Sequence, residues 1–213
     1  MKILVCVKII KDDVNPFDEC ALEAALRLSD DVTVLSMGPV SCREPLQKLT
    51  RLGARCILLS DSDFAGSDTL ATSYILSEAA KKAGFDLIIC GRQSIDGDTG
   101  QVGAMMSHML DIRLYPFVTK LEGLRAHMRS GKTEDIKLPA LITVERINTL
   151  RFPSIRSRAG EVTVWDNSVL GADRERCGIS GSPTRVIKSF ENESGKRHCR
   201  FIKLSELDEI IKN

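Results

Sequence analysis

Residues 90–103, CGRQSIDGDTGQVG, are better suited to binding an anion than any other stretch of this chain. Gly97 and Gly100 let the backbone approach a phosphate closely, and Thr99 can donate its hydroxyl group. The backbone N–H groups of residues 99–102 can converge on one set of oxygens, because a helical pattern begins there and a helix N-terminus attracts negative charge. These features predict a phosphate site at the start of a helix.

The two aspartates of the same stretch do not suit a phosphate. Asp96 and Asp98 are better suited to shaping the loop, as Asx turns do, or to accepting hydrogen bonds from ribose hydroxyls. A tight loop before a well-capped helix would account for the same residues without any ligand. From residue content alone, both interpretations stay open.

Other catalytic patterns have little support in the sequence. The chain has no GxGxxG after its first strand, no GxxxxGK[ST] and no GxSxG, which argues against the common dinucleotide, P-loop and serine-hydrolase sites. His108, His127 and His198 are far apart and form no metal-binding pattern. Trp165 and Phe152 could stack on an aromatic cofactor, although packing in the core or in an interface is the simpler interpretation.

Composition and charge argue against several classes of partner. Apolar residues make up 43% of the 213 residues and charged residues 28%, which is typical of a soluble globular protein. The 30 basic residues nearly balance the 29 acidic ones, so we expect no nucleic acid partner. No apolar run approaches the ~18 residues of a membrane span, so we expect no membrane insertion. The seven cysteines are scattered without a CxxC pair, which predicts a reduced, cytoplasmic protein.

The elements that must position residues 90–103 alternate along the first part of the chain. Apolar, β-branched runs predict buried parallel strands at ILVCVKII, VTVLSMG, ARCILLS and FDLIIC. Helical spacing predicts helices at NPFDECALEAALRL, at 43–52, at 67–83 and at QVGAMMSHML. This alternation predicts an α/β fold with a doubly wound, mainly parallel, Rossmann-like sheet. Ligands of such sheets bind beyond the carboxyl ends of the strands, where residues 90–103 fall.

The pattern changes after Asp111. YPFVTKLEGLRAHMRS and EDIKLPALITVE predict added antiparallel strands, with KLPALITV returning to the core of the sheet. Between 148 and 167 no helical period is visible. The turn-rich GISGSPTRVIKSF and a short closing helix, LSELDEIIKN, are expected to form an extended C-terminal arm. We therefore predict an α/β nucleotide-binding domain at 1–167 and an arm at 168–213 that packs on a partner subunit.

Ordered motifs over almost the whole chain resemble the β subunit of electron-transfer flavoproteins, the FixA-like family. The matching pieces are MKILVCVK, NPFDECALEAALRL, VTVLSMGP, LTRLGARCILLSD, FAGSDTLATSYIL, FDLIICGRQSIDGDTGQVG, KLPALITV, RFPSI and GISGSPTRV. The resemblance implies an adenine-nucleotide alpha-hydrolase-like fold in a heterodimer whose α subunit holds one FAD. This chain would hold structural AMP, or a second FAD as in the electron-bifurcating members.

The resemblance also implies which residues bind the nucleotide. It would contact the first strand, the NPFDE motif and the end of the second strand at Cys6, Val7, Asn15 and Met37. Its phosphates would lie on Asp98, Thr99, Gly100, Gln101 and Val102. Thr69 and Thr72 resemble the bifurcating type, in which this helix start helps to hold the second FAD. No acid–base catalyst is implied, because such a protein is an electron carrier rather than a classical enzyme.

The motif RFPSI resembles the loop that docks a flavin dehydrogenase, such as an acyl-CoA dehydrogenase, with Ile155 as an apolar anchor. The chain departs from the family at two places. Only IIKDDV lies between VCVK and NPFDE, where the family has a longer loop near the nucleotide. The lysine-rich run of the docking loop is also reduced, to SRAGEV, and this bears on which partner can dock.

The sequence leaves three functions open. The leading expectation is a β subunit that carries electrons between a flavin dehydrogenase and an acceptor. The second is an electron-bifurcating form that oxidises NADH with a second FAD in this chain. The third is a paralogue that binds an adenine nucleotide and passes no electrons.

Overall fold

The structure is a computed structural model, and it describes residues 1–185. Within them, a nine-stranded sheet is formed by β1 (Ile3–Cys6), β4 (Val32–Met37), β5 (Arg55–Leu59), β6 (Leu87–Gly91), β7 (Arg113–Glu122), β8 (Arg125–Met128), β9 (Thr133–Asp135), β10 (Ala140–Val144) and β11 (Val162–Trp165). A separate hairpin pairs β2 (Ile9–Ile10) with β3 (Asp13–Val14). The helices are α1 (Pro16–Leu28), α2 (Arg43–Thr50), α3 (Thr69–Ala83), α4 (Val102–Met109) and α5 (Asn167–Leu170).

The strand order of the sheet is β11-β5-β4-β1-β6-β10-β7-β8-β9. Every neighbouring pair from β11 to β7 is parallel, and only β7, β8 and β9 are antiparallel. The chain moves outward from β1 to β4 and β5, then returns to the other side of β1 as β6. The strand order therefore reverses between β1 and β6, where Cys6 lies beside Cys90.

Helices cover both faces of the sheet, because the strands between them are apolar on both faces. In β1, Ile3 and Val5 pack into the cluster under α1 and α2, while Leu4 and Cys6 pack into the cluster under α3 and α4. All four residues of β1 are buried. The predicted doubly wound α/β sheet with added antiparallel strands is confirmed, and KLPALITV returns to the core as predicted. Its strand β10 was predicted as antiparallel, but it is parallel to both β6 and β7.

Local sequence signals account for the two longest helices. Pro16 occupies the first turn of α1, and Arg27 lies in its last turn, where a cation favours the helix dipole. Asp68 caps α3, and Gly84 ends it with a φ of 73°, a conformation that glycine adopts without strain. No helix among residues 1–185 is long and apolar enough to cross a membrane.

Two parts of the secondary structure differ from the prediction. The run ILVCVKII was predicted as one strand, but β1 ends at Cys6 and the chain turns back as the β2–β3 hairpin. Lys11 and Asp12 at its tip have φ values of 50° and 68°, which suit a tight two-residue turn. The region 148–167, without a visible period, contains β11, which pairs with β5 at the edge of the sheet.

The beginning of the segment predicted as an arm packs on the body of this chain. Leu170, Ala172 and Cys177 are buried in the cluster under α3 and α4, and Ser182 is also buried. The predicted closing helix, LSELDEIIKN, lies outside the described residues.

Candidate functional site

The carboxyl ends of β1, β4 and β6 meet at one edge of the sheet. Cys6 and Val7 lie at the end of β1, and the Val7 N–H donates to Leu35 O of β4 at 2.8 Å. Met37 is the last residue of β4. The loop 92–101, called the phosphate loop below because it holds most of the residues predicted to bind a phosphate, follows β6 and leads into α4. The structure thus brings the residues predicted on the first two strands to the same edge as the predicted phosphate loop.

Asn15 joins the start of α1 to the phosphate loop. Its side chain is buried, its Nδ2 donates to Gln93 O at 2.9 Å, and its Oδ1 accepts from the Ile95 N–H at 3.3 Å. Asn15 makes no side-chain cap bond to the backbone of α1, and its amide also hydrogen-bonds the Asp18 carboxylate in the first turn of that helix. Removal of this amide would leave the Gln93 carbonyl and the Ile95 N–H, which are part-buried, without these partners.

The two aspartates of the loop bond to its own surroundings. Asp96 accepts from the Gly97 N–H at 2.9 Å and pairs with Lys8 Nζ at 2.6 Å. Partial burial opposes ionisation of Asp96, but the hydrogen bonds from Lys8 and Ser94 outweigh it and lower the pKa of this carboxyl. Asp98 has a φ of 53° and accepts from the amide of Gln93. Both carboxylates therefore hold the shape of the loop.

The first turn of α4 is open to an anion. Its N-cap is Gln101, which makes no side-chain cap bond, and the N–H groups of residues 99–104 have no partner within the described part of the chain. Gly100 has a φ of 63°, and a Cβ there would lie 3.3 Å from Arg92 O. A phosphate accepts from such N–H groups and is favoured by the helix dipole, so these residues fit an adenine-nucleotide phosphate.

The start of α3 differs from that of α4, although both follow glycine-containing loops at this edge. Asp68 accepts from the Leu70 and Ala71 N–H groups at 2.9 and 3.1 Å, so a carboxylate already occupies the first turn of α3. Thr69 Oγ1 reaches across to Gln101 Oε1 at 3.3 Å, and Thr72 is half-buried in the next turn. The free anion position at this edge is therefore the start of α4.

Asp18 is a site residue that the sequence analysis missed. Its carboxylate is buried against the end of β6, where a Cβ on Gly91 would lie 2.3 Å from Asp18 Oδ1. It accepts from the Lys8 N–H at 2.8 Å. Burial raises the pKa of Asp18 to about 7, against hydrogen bonds from Lys8, Asn15 and Gly91 that lower it. An acid in the first turn of a helix indicates only a favourable dipole contact, so its burial was not predictable.

The floor of the edge is formed by sulfur-containing side chains. Cys6 Sγ lies 3.8 Å from Met106 Sδ of α4, and Cys6 and Cys90 are both buried. The hydrogen bond with Cys6, together with burial, raises the pKa of the Cys90 thiol well above its usual range. The Cys90 thiol is therefore neutral at physiological pH and is not an activated nucleophile.

Ile155 lies apart from the other predicted residues. It is 98% exposed in the loop between β10 and β11. This loop packs against Thr50 and Arg51, which lie between the end of α2 and the start of β5. Ile155 is therefore near the amino ends of the strands, at the edge opposite the phosphate loop.

The candidate site is an open edge rather than an enclosed cavity, since residues 95–99 are exposed. A surface depression of about 680 Å³ lies elsewhere, between the tip of the β2–β3 hairpin and α2. None of the predicted nucleotide-binding residues contributes to its lining, which is formed by Asp12, Val40, Ser41, Arg43, Glu44, Pro45, Gln47 and Lys48.

Comparison with known proteins gives consistent matches. The family model "Electron transfer flavoprotein domain" matches residues 3–170. The electron transfer flavoprotein subunit beta of Megasphaera elsdenii is 38% identical over 235 residues, covering 89% of this chain and 87% of the relative. The protein FixA of Azorhizobium caulinodans is 35% identical over 252 residues, covering 97% and 90%. CarD, a subunit of the caffeyl-CoA reductase-Etf complex of Acetobacterium woodii, is 35% identical over 229 residues, covering 89% and 87%.

The alignment with FixA is longer than this chain, at 252 positions against 213 residues. FixA must therefore have segments that this chain lacks. The short connection IIKDDV, which forms most of the β2–β3 hairpin, is where the resemblance indicated such a difference.

Proposed function

The chain belongs to the electron transfer flavoprotein family and is a β subunit of the FixA-like type, and on that premise we propose that it pairs with an α subunit and holds an adenine nucleotide beyond β1 and β6. The heterodimer would carry electrons between a flavin dehydrogenase and an acceptor. The free, buried cysteines among the described residues support a reduced, cytoplasmic protein.

One observation carries the proposed nucleotide site. The uncapped start of α4 lies where the strand order reverses, directly after a glycine whose φ of 63° turns the chain into the helix. Phosphate oxygens would accept from N–H groups of residues 99–102, with Asp98 and Gln101 at either side. Cys6, Val7, Asn15 and Met37 would contact the nucleoside, since they lie at the ends of the neighbouring strands.

The proposed role of this chain needs no acid or base. FAD, held mainly by the α subunit, supplies the redox chemistry when bound. The residues of this chain bind and orient: Asn15 holds the phosphate loop against α1, and the buried side chains of Cys6 and Cys90 form an apolar floor. Such a division of work suits an electron carrier, in which the protein fixes the distance between cofactors.

A flavin dehydrogenase of the acyl-CoA type is the proposed electron donor. The relative CarD is a subunit of a caffeyl-CoA reductase-Etf complex, which supports an acyl-CoA-linked partner for this chain too. Ile155 supports the same proposal, because an almost fully exposed aliphatic side chain suits an anchor for a brief encounter.

A second FAD in place of AMP is the second candidate, and one contact favours it. Thr69 bonds to Gln101, so the start of α3 adjoins the phosphate loop and could extend the site for a larger dinucleotide. Such a form would bifurcate electrons from NADH. Counting the flavins of the heterodimer decides between the two: one flavin means AMP here, and two mean a second FAD.

Electron transfer to the heterodimer tests the proposed function. The chain would be co-expressed with its α subunit, and the purified complex mixed without oxygen with an acyl-CoA dehydrogenase and its acyl-CoA substrate. We expect the flavin absorbance to bleach at a rate that rises with dehydrogenase concentration. A complex that binds an adenine nucleotide but shows no flavin reduction would instead be the non-redox paralogue.

A further inference from the structure

The loop between β10 and β11, here called the docking loop (residues 146–160, RINTLRFPSIRSRAG), has no helix or strand. It is nevertheless held to α1 and to the end of α2 by side chains at several points. The inference below rests on the proposed function, because that proposal makes Ile155 of this loop the anchor for a dehydrogenase.

Glu23 of α1 holds the first half of the docking loop. Its side chain is only 3% exposed and accepts three hydrogen bonds from Arg151: from the backbone N–H at 3.1 Å, from Nε at 2.9 Å and from Nη2 at 3.1 Å. Arg27 donates a further bond to the same carboxylate at 2.7 Å. These bonds outweigh the effect of burial and lower the pKa of Glu23 to about 2, so the carboxylate is charged throughout the physiological range.

Arg51 and Thr50 hold the second half. Arg51 Nε donates to Ser157 O at 3.2 Å, and Arg51 Nη2 donates to Ser154 O at 3.4 Å. One guanidinium therefore holds the backbone on both sides of Ile155. The Gly160 N–H donates to Thr50 Oγ1 at 2.7 Å. All of these bonds use the loop backbone and leave its outward side chains free.

Ile147 and Leu150 of the loop pack against the core, whereas its other two large apolar side chains, Phe152 and Ile155, point outward. Phe152 is 95% exposed and Ile155 is 98% exposed, although each lies next to an anchored residue. The loop contains four arginines and no acidic residue. Arg151 forms an ion pair with Glu23, whereas Arg156 and Arg158 are exposed and have no ion-pair partner among residues 1–185. The surface offered is an apolar pair beside two free cations.

We propose that Glu23 and Arg51 are positioning residues for partner docking: they fix the docking loop so that Phe152 and Ile155 form a preset apolar pair for a dehydrogenase pocket with a carboxylate rim. Neither residue touches the partner. Each acts by removing the freedom that the loop would otherwise lose on binding, which is how preorganisation raises affinity. Arg156 and Arg158 supply the charge complementarity that favours an acidic rim.

The test compares Glu23→Gln and Arg51→Met with Arg55→Met in the intact heterodimer. Arg55 also donates to a carboxylate and a hydroxyl, but these belong to Asp31 and Thr33 at the start of β4, so its guanidinium makes no bond to the docking loop. With a purified acyl-CoA dehydrogenase as reductant, we expect the first two variants to raise the KM for the heterodimer about three- to tenfold, with kcat and bound nucleotide unchanged. Arg55→Met should match the wild type.

A second background separates positioning from a general loss of structure. If Glu23 and Arg51 act through the apolar pair, then neither substitution should raise KM further in a Phe152→Ala/Ile155→Ala protein. Trypsin gives a readout that needs no partner: cleavage after Arg156 and Arg158 should be several-fold faster in Glu23→Gln and Arg51→Met than in Arg55→Met, because a freed loop is cut more readily.

Unchanged cleavage and unchanged KM in both variants would overturn the inference. So would a KM effect that persists in the Phe152→Ala/Ile155→Ala background. If the wild-type heterodimer is not reduced at all, the proposed function fails, and the trypsin comparison still decides whether Glu23 and Arg51 fix the loop. If Ile155→Ala raises KM while the two positioning variants do not, the proposed function stands and only the inference fails.

Discussion

At the scale of single residues, Asp18 and Glu23 are two buried acids of α1 with opposite pKa shifts. Burial dominates at Asp18 and raises its pKa to about 7, although hydrogen bonds from Lys8, Asn15 and Gly91 and the charge of Lys8 act to lower it; among the described residues it forms no ion pair. Glu23 is surrounded by Arg27 and Arg151, so its pKa falls to about 2. Only about one and a half turns of helix separate a carboxyl that binds a proton near neutrality from one that stays ionised.

This difference predicts a pH-dependent stability that depends on Asp18. Because its folded-state pKa is raised, the folded protein binds more protons than the unfolded chain between about pH 4 and 7, and the free energy of unfolding falls as pH rises through that window. At about 1.4 kcal/mol per unit, the loss is at most on the order of 4 kcal/mol. The stabilisation from Glu23 is present above its ordinary pKa of 4.5 and is lost only as pH falls from there toward about 2, so it adds little pH dependence across this window.

Urea unfolding of the wild type and of Asp18→Asn at several pH values between 4 and 8 measures this contribution. Other titrating groups are common to both proteins, so the difference in slope isolates Asp18. We expect the wild type to lose stability with rising pH more steeply than the variant. Parallel pH profiles would show that Asp18 keeps an ordinary pKa.

Asn15 should matter more for the nucleotide than for the fold. Asn15→Ala removes both bonds to the phosphate loop, at a cost of about 1–3 kcal/mol in stability, and should weaken nucleotide binding about tenfold or more. Asn167 is a matched control, because its buried amide also bridges two segments, donating to Asp63 and accepting from Ala172. Calorimetric titration with AMP should show weaker binding only for Asn15→Ala, and equal affinities in the two variants would remove Asn15 from the site.

At the scale of elements, the α3 cap also holds the segment 178–184. Asp68 caps α3 and accepts from the N–H and the hydroxyl of Thr184, and its own N–H donates to Ser182 Oγ at 2.8 Å. Two motifs that are distant in the sequence, FAGSDT and GSPT, thus meet at one carboxylate. The segment 178–184 is therefore part of the body at this point.

Asp68→Ala should cost about 1 kcal/mol for the lost cap, and should also release Thr184. Hydrogen exchange measured by mass spectrometry checks this, with faster exchange expected across residues 178–184. The control is Asp166→Ala, which removes the cap of α5, a bond to Val169. The prediction fails if Asp68→Ala leaves exchange in 178–184 as slow as it is in the control.

Elements with a strong periodic signal were predictable, and elements specified by distant contacts were not. α1 and α3 follow from apolar spacing and caps, and β6 follows from the apolar run LIIC. In β11 only Val162 is buried and Trp165 half-buried, so its sequence shows no clear strand period. This strand forms because it pairs with β5, which is distant in the sequence. The β2–β3 hairpin was hidden because Ile9 and Ile10 extend the apolar run of β1.

The candidate site divides in the same way. The glycines and the helix start of residues 90–103 indicated an anion site from local sequence alone. The sequence could not decide between a phosphate site and a capped helix without a ligand, because that depends on whether a side chain caps α4, and in the structure none does. The roles of Asn15, Asp18 and Glu23 depend on partners far along the chain, at Gln93, Lys8 or Gly91, and Arg151. Helical position alone does not reveal such partners.

At the scale of the whole molecule, the two proposed sites lie at opposite edges of the sheet. The proposed nucleotide site lies beyond the carboxyl ends of β1 and β6, and the docking loop lies near the amino ends of β5 and β11. α1 connects the two edges: its first turn carries Asn15 and Asp18, and its third carries Glu23. Changes at one edge should therefore leave the other function intact.

The central claim is that this chain holds an adenine nucleotide at the start of α4. The most direct measurement is to purify the wild-type heterodimer and its Asn15→Ala variant, release the bound nucleotides, and count AMP and FAD per heterodimer by chromatography and mass spectrometry. We predict one FAD from the α subunit plus one AMP or FAD in the wild type, with only the latter depleted by Asn15→Ala. A wild-type heterodimer with a single FAD and no further adenine nucleotide, or a variant with the full complement, would contradict the account.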